Sequence, residues 1–286
     1  MTSSKPRSLL LGLVGAGIGR SLTPAMQERE GREAGLDVTY RIIDAEARGF
    51  GVDDLGDVLA RARRQGYAGL NVTHPFKQAV VGLLDELSED ALDLGSVNTV
   101  VFRDGRSLGR NTDATGYADA FRWALPEAVH DRAVLVGAGG AGVAVGYGLL
   151  DSGIEHLAVH DVDADRADAC VVRLAKRFGD DRVTAVDDLE RALADAQGLV
   201  NATPVGMVGH EGLPVPASVV RPELWVSDIV YFPLETELVA LARSRGCRVL
   251  PGGGMAVQQA VGAFEHFTGL PADAGRMARH FAELTA

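Results

Sequence analysis

Short apolar runs alternate with amphipathic stretches along the chain, and this alternation predicts an α/β protein. The run 133–136 is continuously apolar, which is typical of a strand buried in a parallel sheet. The stretch 51–65 instead places Leu55, Val58 and Leu59 along one side of a helix. The first 105 residues or so already form an α/β unit of their own, ahead of a second one.

The predicted elements follow from these periodicities and from turn residues. The predicted strands cover 8–15, 38–43, 69–73, 97–103, 133–136, 157–161, 183–186, 198–202, 224–230 and 247–250. The predicted helices cover 23–34, 51–65, 77–87, 88–94, 111–123, 143–150, 164–178, 189–196, 238–245, 255–268 and 272–284. Thr23 is expected to cap the first helix, with Pro24 in its first turn. The last two helices have no strand of their own to cover, so we expect them to pack back across the domain junction.

The stretch 133–161 has the layout of a dinucleotide-binding βαβ unit. An apolar strand leads into Gly-Ala-Gly-Gly-Ala-Gly beginning at Gly137, then into a helix and a second strand that ends in Asp161. Gly137 allows the tight turn, Gly139 lets the backbone approach a pyrophosphate, and Gly142 allows close packing. The N-terminus of the helix then offers N–H groups to the phosphates. A purely structural glycine turn would not require strand, loop, helix, strand and acid in this order.

Composition and charge exclude several classes of protein. The chain of 286 residues is 47% hydrophobic and 23% charged, as soluble globular proteins are, and its net charge of -11 argues against a nucleic-acid surface. The uncharged run 133–150 is about long enough for a membrane span, but tight-turn glycines divide it. Cys170 and Cys247 form no C-x-x-C pair and are predicted to be free, buried thiols. We therefore expect a cytoplasmic protein with no signal peptide, nucleic-acid partner, membrane partner or metal site.

Polar residues gather where the predicted strands of the first unit end. Ligands of open α/β sheets bind outside the carboxyl ends of the strands. Taken alone, each of these residues has a structural explanation as a helix cap, a solvated lysine or a turn residue. Their shared location suits a polyhydroxylated substrate. They are Ser21, Thr23, Asn71, Thr73, His74, Lys77, Asn98, Thr99, Asn111 and Asp113.

Seven motifs together resemble the shikimate dehydrogenase family, in the right order and over nearly the whole chain. The resemblance is strongest to the NAD-dependent quinate/shikimate dehydrogenases of actinobacteria. The motifs are Ser21-Leu-Thr23-Pro24, Gly69-Leu-Asn71-Val-Thr73-His-Pro75-Phe-Lys77, Gly95-Ser-Val-Asn98-Thr99, Asn111-Thr-Asp113-Ala-Thr-Gly116, Asn201-Ala-Thr203-Pro204, Asp228-Ile-Val-Tyr231-Phe-Pro233 and Gly252-Gly-Gly-Met255-Ala-Val-Gln-Gln259.

The resemblance implies two α/β domains with a hydroxylated cyclohexane carboxylate in the cleft. It assigns 1–110 to a substrate domain, 111–250 to a Rossmann-type NAD-binding domain, and 251–286 to helices that return to the first domain. The implied substrate residues are Ser21, Thr23, Thr73, Lys77, Asn98, Asp113 and Gln259, with Lys77 as proton acceptor paired with Asp113. The implied dinucleotide residues are Gly137, Gly139, Gly140, Ala141, Asp161, Arg166, Thr203, Val230, Gly252 and Met255.

The chain also departs from the common family pattern, His-Ser-x-Ser-Pro-x-x-His. Arg20 and Gln27 stand at the two histidine positions, and Thr23 replaces the second serine. Gln258 stands where many members have His or another residue. Of these changes, Thr23 bears on the choice of substrate.

The expected reaction is reversible oxidation of a ring alcohol, shikimate or quinate, to the ketone with transfer of a hydride to NAD. Lys77 would take the hydroxyl proton, and His74 is the rival base. Asp161 favours NAD over NADP, because its charge repels a 2′-phosphate and Arg166 is the only cation near. An NADP-preferring shikimate dehydrogenase, an aminoshikimate dehydrogenase, a methyltransferase and a nucleotide-sensing module stay open as alternatives, as does a homodimer.

Overall fold

Two six-stranded sheets, each covered by helices, organise the computed structural model, which describes residues 6–285. The chain divides into unit 1, residues 1–112 and 260–286, and unit 2, residues 113–259. The two-domain α/β fold expected from the sequence is confirmed. The second division falls within the penultimate helix rather than at residue 250, where the sequence suggested a boundary.

Strands and helices alternate along most of the chain. The strands are β1 (Ser8–Gly15), β2 (Asp37–Asp44), β3 (Tyr67–Val72), β4 (Glu86–Leu87), β5 (Thr99–Arg103), β6 (Arg106–Arg110), β7 (Arg132–Val136), β8 (His156–His160), β9 (Val183–Ala185), β10 (Gly198–Asn201), β11 (Trp225–Asp228) and β12 (Arg248–Leu250). The α-helices are α1 (Thr23–Glu33), α2 (Ala45–Arg48), α3 (Leu55–Arg64), α4 (Glu89–Leu94), α5 (Thr112–Ala124), α6 (Gly140–Asp151), α7 (Ala164–Phe178), α8 (Leu189–Ala194), α9 (Glu237–Ser244), α10 (Gly253–Thr268) and α11 (Ala274–Leu284). Short 3₁₀ turns cover Val52–Asp54, Val81–Leu83 and Ala217–Val219.

The sheet of unit 1 is mixed, in the order β2-β1-β3-β5-β6-β4. Strand β1 pairs in parallel with β2 and β3, whereas β5 runs antiparallel to β3 and β6. Asp104 and Gly105 both have positive φ, 51° and 76°, as the two-residue turn of a hairpin requires. The turn follows directly after the strand predicted over 97–103, but strands β4 and β6 were not predicted.

The helix predicted over 77–87 is wrong. This segment forms turns, a 3₁₀ turn and the short strand β4. The Asp85 carboxylate accepts hydrogen bonds from the backbone N–H and hydroxyl of Ser107, each at 2.7 Å, which ties the segment to β6. Leu84 and Leu87 pack over Gly109, where a Cβ would lie 2.6 Å and 2.8 Å from their methyl carbons. The apolar residues whose spacing suggested a helix here, Leu84 and Leu87 among them, instead pack against the sheet.

The C-terminal helices complete unit 1, as expected. Phe264 and Phe267 of α10 join the core cluster beneath β1 and β2. Helix α11 is held to α1 by Arg276, whose guanidinium donates to both carboxylate oxygens of the fully buried Glu30, at 2.9 Å and 2.5 Å. Removing one partner of such a buried pair leaves an uncompensated charge, so this contact strongly couples the chain's end to its first helix.

The sheet of unit 2 is parallel throughout and has the order β12-β11-β10-β7-β8-β9. Counted within the unit, this is the 3-2-1-4-5-6 order of dinucleotide-binding folds, with β7 as the first strand. The order reverses between β7 and β10, so the loops that follow these two strands lie at the topological switch point. Ligands bind outside the carboxyl ends of the strands at that point.

Candidate active site

In unit 1, the loops after β1 and β3 are bound to each other at the carboxyl edge of the sheet. The Ala16 N–H donates to the His74 carbonyl at 3.0 Å, and the Thr73 N–H donates to the Val14 carbonyl at 2.9 Å. Gly15 has no room for a side chain, because a Cβ there would overlap the Thr73 methyl group. The half-buried side chain of Thr73 therefore lies directly over the end of β1.

Asp44, at the end of β2, fixes the loop after β1. Its carboxylate oxygens accept hydrogen bonds from the N–H groups of Gly17 at 3.1 Å and Ile18 at 3.0 Å. Desolvation raises the pKa of this carboxyl, but these bonds and two N–H groups of α2 outweigh it, so the pKa lies below its ordinary value. The three parallel strands of unit 1 thus end in one connected set of loops.

Ser21 and Thr23 lie next along this loop, and their hydroxyls are 3.2 Å apart. The Thr23 N–H donates to the Ser21 hydroxyl oxygen at 3.3 Å. Leu22, not Thr23, occupies the N-cap position of α1, so the predicted capping role of Thr23 is wrong. No side chain caps α1, and both hydroxyls lie beside its partly exposed N-terminus.

Lys77 lies in the turns that follow the cis His74–Pro75 peptide, and its side chain is half-buried. Its carbonyl accepts the Val97 N–H at 2.8 Å, which fixes this turn beside the residue preceding Asn98. His74, the rival base, is exposed. The structure therefore holds Lys77 at the same edge as Thr73.

Asn98 is almost fully buried, with 3% of its surface exposed. Its Oδ1 accepts hydrogen bonds from the Thr112 N–H at 2.7 Å and the Thr99 hydroxyl at 3.0 Å, and its Nδ2 donates to the Thr112 hydroxyl at 2.9 Å. Asn71, which the sequence placed among strand-end polar residues, is buried beside it and donates to the Thr99 hydroxyl at 3.0 Å. The sequence did not anticipate how deeply these two amides lie.

The positions at which this chain departs from the family pattern have different environments. Arg20 is exposed in the loop beside Ser21. Gln27 is fully buried on α1, one turn after Thr23, and its Nε2 donates to the Ala260 carbonyl of α10 at 2.8 Å. Gln27 thus contributes to packing between these helices.

In unit 2, Asp113 and Gln259 lie on two helices that cross closely. Asp113 is in the first turn of α5, and Gly116 follows one turn later. A Cβ at Gly116 would lie 2.5 Å from the backbone nitrogen of Gln259 on α10. The Gln259 Nε2 donates to the Ala256 carbonyl at 3.1 Å. Glycine at position 116 therefore brings these two predicted substrate residues onto adjoining helices.

The glycine loop after β7 has the geometry that dinucleotide phosphates require. Gly137 has a φ of +100°, and a Cβ there would lie 2.8 Å from the Ala202 carbonyl group and the Thr203 methyl carbon. A Cβ at Gly142 would overlap the Gly137 carbonyl oxygen. In contrast, nothing lies within 4 Å of a Cβ at Gly139 or Gly140, both exposed at the N-terminus of α6. Open space therefore adjoins the N–H groups of the first turn of α6, including that of Ala141, which have no partner within the helix.

Asp161 follows β8 and reaches back to this loop. Its two carboxylate oxygens accept the N–H groups of Ala138 at 2.7 Å and Asp163 at 3.0 Å. A carboxylate has about four acceptor positions, so two stay available to ribose hydroxyls. Arg166 is mostly exposed and pairs with Asp163 at 3.2 Å.

A buried network fixes the loops after β10 and β11; sequence reasoning named Thr203 as a dinucleotide residue but missed Asn201, Asp228 and Thr236 as functional candidates. Asn201 accepts the Thr203 hydroxyl at 2.7 Å and donates to Asp228 at 3.0 Å. The other Asp228 oxygen accepts the Thr236 hydroxyl at 2.6 Å. Burial raises the pKa of Asp228, although these bonds oppose the shift. The signal that could have revealed Asn201 and Asp228 was their place at strand ends.

Val230 and Gly252 also contact each other across neighbouring loops. A Cβ at Gly252 would overlap the Val230 carbonyl oxygen, so only glycine fits there. Met255 follows in the first turn of α10 and is half-buried. Apart from Arg166, the predicted dinucleotide residues therefore lie in the glycine loop, directly after β8, in the loops after β10, β11 and β12, or in the first turns of α6 and α10.

A cavity of about 520 Å³ in unit 2 is lined by residues that include Arg132, Val134, His156, Ala158 and Ala192. Arg132 and His156 begin β7 and β8. None of the residues predicted to contact the substrate or the dinucleotide lines this cavity. Within residues 6–285, no helix is long and apolar enough to cross a membrane, and no cluster of His, Cys, Asp and Glu could hold a metal ion.

Comparisons with known proteins agree with this geometry. Residues 13–100 match the family model described as the shikimate dehydrogenase substrate binding domain. The chain is 51% identical over 279 residues to a shikimate dehydrogenase (NADP(+)) of Streptomyces avermitilis, covering 97% of this chain and 96% of that one. It is 48% identical over 283 residues to a quinate/shikimate dehydrogenase (NAD(+)) of Corynebacterium efficiens, covering 97% and 99%.

A solved structure is similar over nearly the same length. Quinate dehydrogenase from Corynebacterium glutamicum in complex with NAD superimposes with a TM-score of 0.93 at 45% identity. The match covers 97% of this chain and 99% of that one.

The open space at Gly139 yields a prediction that separates binding from folding. Gly139→Ala should weaken the binding of NAD and NADP at least about tenfold, or ~1.4 kcal/mol, because its methyl group occupies the space left for the pyrophosphate. The free energy of unfolding should change little, since nothing lies within 4 Å of the added carbon. Calorimetric titration and urea unfolding measure the two effects.

Two alanine variants serve as controls for Gly139→Ala. Gly142→Ala should destabilise the fold, because its Cβ would overlap the backbone of Gly137. Gly56 lies on α3, and nothing lies within 4 Å of a Cβ added there. Gly56→Ala should therefore leave the dinucleotide affinity unchanged and should not lower the free energy of unfolding. Wild-type affinity in Gly139→Ala would contradict the assigned phosphate site.

Proposed function

We propose that this chain, which belongs to the shikimate dehydrogenase family, oxidises the ring alcohol of shikimate and of quinate reversibly, with NAD as preferred hydride acceptor. Unit 1 supplies most of the substrate side chains, and unit 2 supplies the dinucleotide site. The observation that carries the proposal is the gathering of Ser21, Thr23, Thr73 and Lys77 at one sheet edge.

The side chains of unit 1 suit a hydroxylated carboxylate. The Ser21 and Thr23 hydroxyls, 3.2 Å apart, form a pair that can donate to one carboxylate group. Thr73 adds a hydroxyl, and Asn98 has a carboxamide whose Oδ1 is already engaged. Such groups recognise ring hydroxyls and a carboxylate, and none of them would be needed by a methyltransferase or by a nucleotide-sensing module.

The chemistry divides between a hydride and a proton. The nicotinamide, when bound, accepts a hydride from the carbinol carbon. Lys77 accepts the hydroxyl proton and returns it in the reverse direction. We prefer Lys77 to His74 because Lys77 is half-buried and anchored through its carbonyl to Val97, whereas His74 is exposed. Asp113, at the start of α5, is the second residue proposed to act in this step.

The preference for NAD is proposed from the charges after β8. Within residues 161–166, the carboxylates of Asp161, Asp163 and Asp165 outnumber the single cation, Arg166, which is itself paired with Asp163. A 2′-phosphate would meet this negative field, whereas ribose hydroxyls can donate to Asp161. The 48% identical relative from Corynebacterium efficiens bears an NAD(+) name.

An NADP-preferring shikimate dehydrogenase is the second candidate. The observation in its favour is the name of the Streptomyces avermitilis relative, shikimate dehydrogenase (NADP(+)), at 51% identity. Overall identity does not separate the two candidates, so the local charges decide our choice. Absorbance of the reduced nicotinamide, recorded with each dinucleotide and with shikimate or quinate, tests the function itself.

Replacement of the proposed base should slow turnover without abolishing binding. Lys77→Ala is expected to lower kcat by about 10²–10⁴-fold, the usual contribution of a positioned acid–base group. Lys176→Ala, which removes an exposed lysine of α7, is the matched control and should leave kcat unchanged. Near-normal turnover of Lys77→Ala at saturating substrate would refute the assignment.

The dinucleotide preference should depend on Asp161. In the wild type, kcat/KM for NAD should exceed that for NADP by about tenfold or more, since a charge-assisted hydrogen bond contributes roughly 1.5–3 kcal/mol. Asp161→Asn should reduce this ratio, whereas Asp165→Asn, an exposed neighbour that loses the same charge, should reduce it less. Comparable kcat/KM values for both dinucleotides in the wild type would contradict the prediction.

Thr23 should influence the choice between quinate and shikimate. Quinate has an additional hydroxyl at the tetrahedral carbon that bears its carboxylate, and an unpaired buried hydroxyl costs about 1–3 kcal/mol. The methyl group of threonine restricts χ1 and so directs its hydroxyl. We expect quinate to be oxidised by the wild type and Thr23→Ser to change the quinate/shikimate ratio of kcat/KM.

The control for Thr23→Ser is Thr184→Ser on the exposed strand β9, which should leave the ratio unaltered. Absence of quinate oxidation in the wild type would remove the substrate proposal altogether. An unchanged ratio in Thr23→Ser would remove only the role of this residue.

A further inference from the structure

We infer that Tyr40 is a positioning residue for substrate recognition, acting through Asn71 on the Asn98 carboxamide. The inference rests on the proposed function, in which Asn98 contacts the substrate. Tyr40 lies in the middle of β2, outside all seven family motifs, and only 6% of it is exposed.

The first link is a directional hydrogen bond. The Tyr40 hydroxyl donates to Asn71 Oδ1 at 2.7 Å. Burial raises the pKa of this hydroxyl above its ordinary value of 10.0, so it keeps the proton that it donates to Asn71. This donor decides which side of the Asn71 carboxamide carries the oxygen. The Asn71 amino group must therefore point the other way, toward Asn98 and Thr99.

The second link transmits this polarity to Thr99. Asn71 Nδ2 donates to the Thr99 hydroxyl oxygen at 3.0 Å and to the Asn98 carbonyl at 3.3 Å. A hydroxyl that accepts from Asn71 has its own proton left to donate. It donates to Asn98 Oδ1 at 3.0 Å. With the Tyr40 hydroxyl absent, the bond to the Asn98 carbonyl at 3.3 Å would still oppose a turn of the Asn71 carboxamide, but one of the two contacts that set its direction would be lost.

The last link sets the Asn98 carboxamide. Its Oδ1 accepts both the Thr99 hydroxyl and, at 2.7 Å, the Thr112 N–H, so the oxygen faces the network. Its amino group has two protons, of which one is donated to the Thr112 hydroxyl at 2.9 Å. Asn98 is therefore held as a donor toward an acceptor oxygen of the substrate. Loss of the Tyr40 hydroxyl should loosen this orientation without removing any group from the site.

The test is Tyr40→Phe, which keeps the ring and removes the donor. We expect KM for shikimate or quinate to rise about five- to tenfold, while KM for the dinucleotide changes less than about twofold. A merely structural role would lower the fraction of folded enzyme, which reduces apparent kcat and leaves both KM values unchanged. Tyr67→Phe, another buried tyrosine of unit 1 outside this network, is the matched control and should leave KM unaltered.

A double-mutant cycle tests the route through Asn71. If Tyr40 acts through Asn71, adding Tyr40→Phe to Asn71→Ala should raise KM less than about twofold further. If the two substitutions instead raise KM independently, so that their effects multiply, Tyr40 does not act through Asn71. An unchanged KM in Tyr40→Phe would overturn the inference itself. Asn71→Ser replaces Asn71→Ala if the latter does not fold. The proposed function would fail separately if the wild type oxidised neither shikimate nor quinate.

Discussion

Both units depend on the same constraint, the lack of a side chain at the end of the central first strand. Gly15 ends β1 and lies under the methyl group of Thr73. Gly137 follows β7 and lies against the methyl group of Thr203. In each unit a glycine lets the loop of the neighbouring strand cross the strand end, and a threonine follows that neighbouring strand. Both threonines are proposed site residues, so the same local packing builds two different sites.

Each unit then fixes its loops with one buried polar group that accepts several hydrogen bonds. In unit 1 this group is Asn98 Oδ1, and in unit 2 it is the Asp228 carboxylate. Burying such groups is costly unless every acceptor position is used. Their partners, Thr112 and Thr236, lie at helix starts. The free-energy cost of burying these groups is thus offset only when the strand end and the following helix keep the positions that allow these hydrogen bonds. This requirement holds the loops in place.

Much of this could be predicted from the sequence. Helix α7 begins and ends where the sequence placed it, at Ala164 and Phe178, because its apolar stripe and flanking residues agree. The helix expected over 77–87 failed because hydrogen bonds from Ser107 to Asp85 are tertiary and leave no local signal. Strand β4 has only two residues, too few for a period. Asn71 was recognised as polar at a strand end, but its partner Tyr40 lies on another strand, and pairing across a sheet cannot be read from spacing.

The two proposed sites recognise their ligands by different physical means. We infer that this difference allows relatives of similar overall identity to be named for different substrates and dinucleotides. The proposed dinucleotide site is made largely of backbone N–H groups, and a Cβ at Gly137, Gly142 or Gly252 would overlap main-chain atoms. Such positions tolerate little change. The proposed substrate site also contains the partly exposed side chains of Ser21 and Thr23, which can be exchanged without moving the backbone. Substrate choice can therefore vary within a constant fold through single side chains. In the proposed dinucleotide site, dinucleotide choice can vary in the same way through a side chain such as Asp161. Local groups, rather than overall similarity, thus decide what this member of the family prefers.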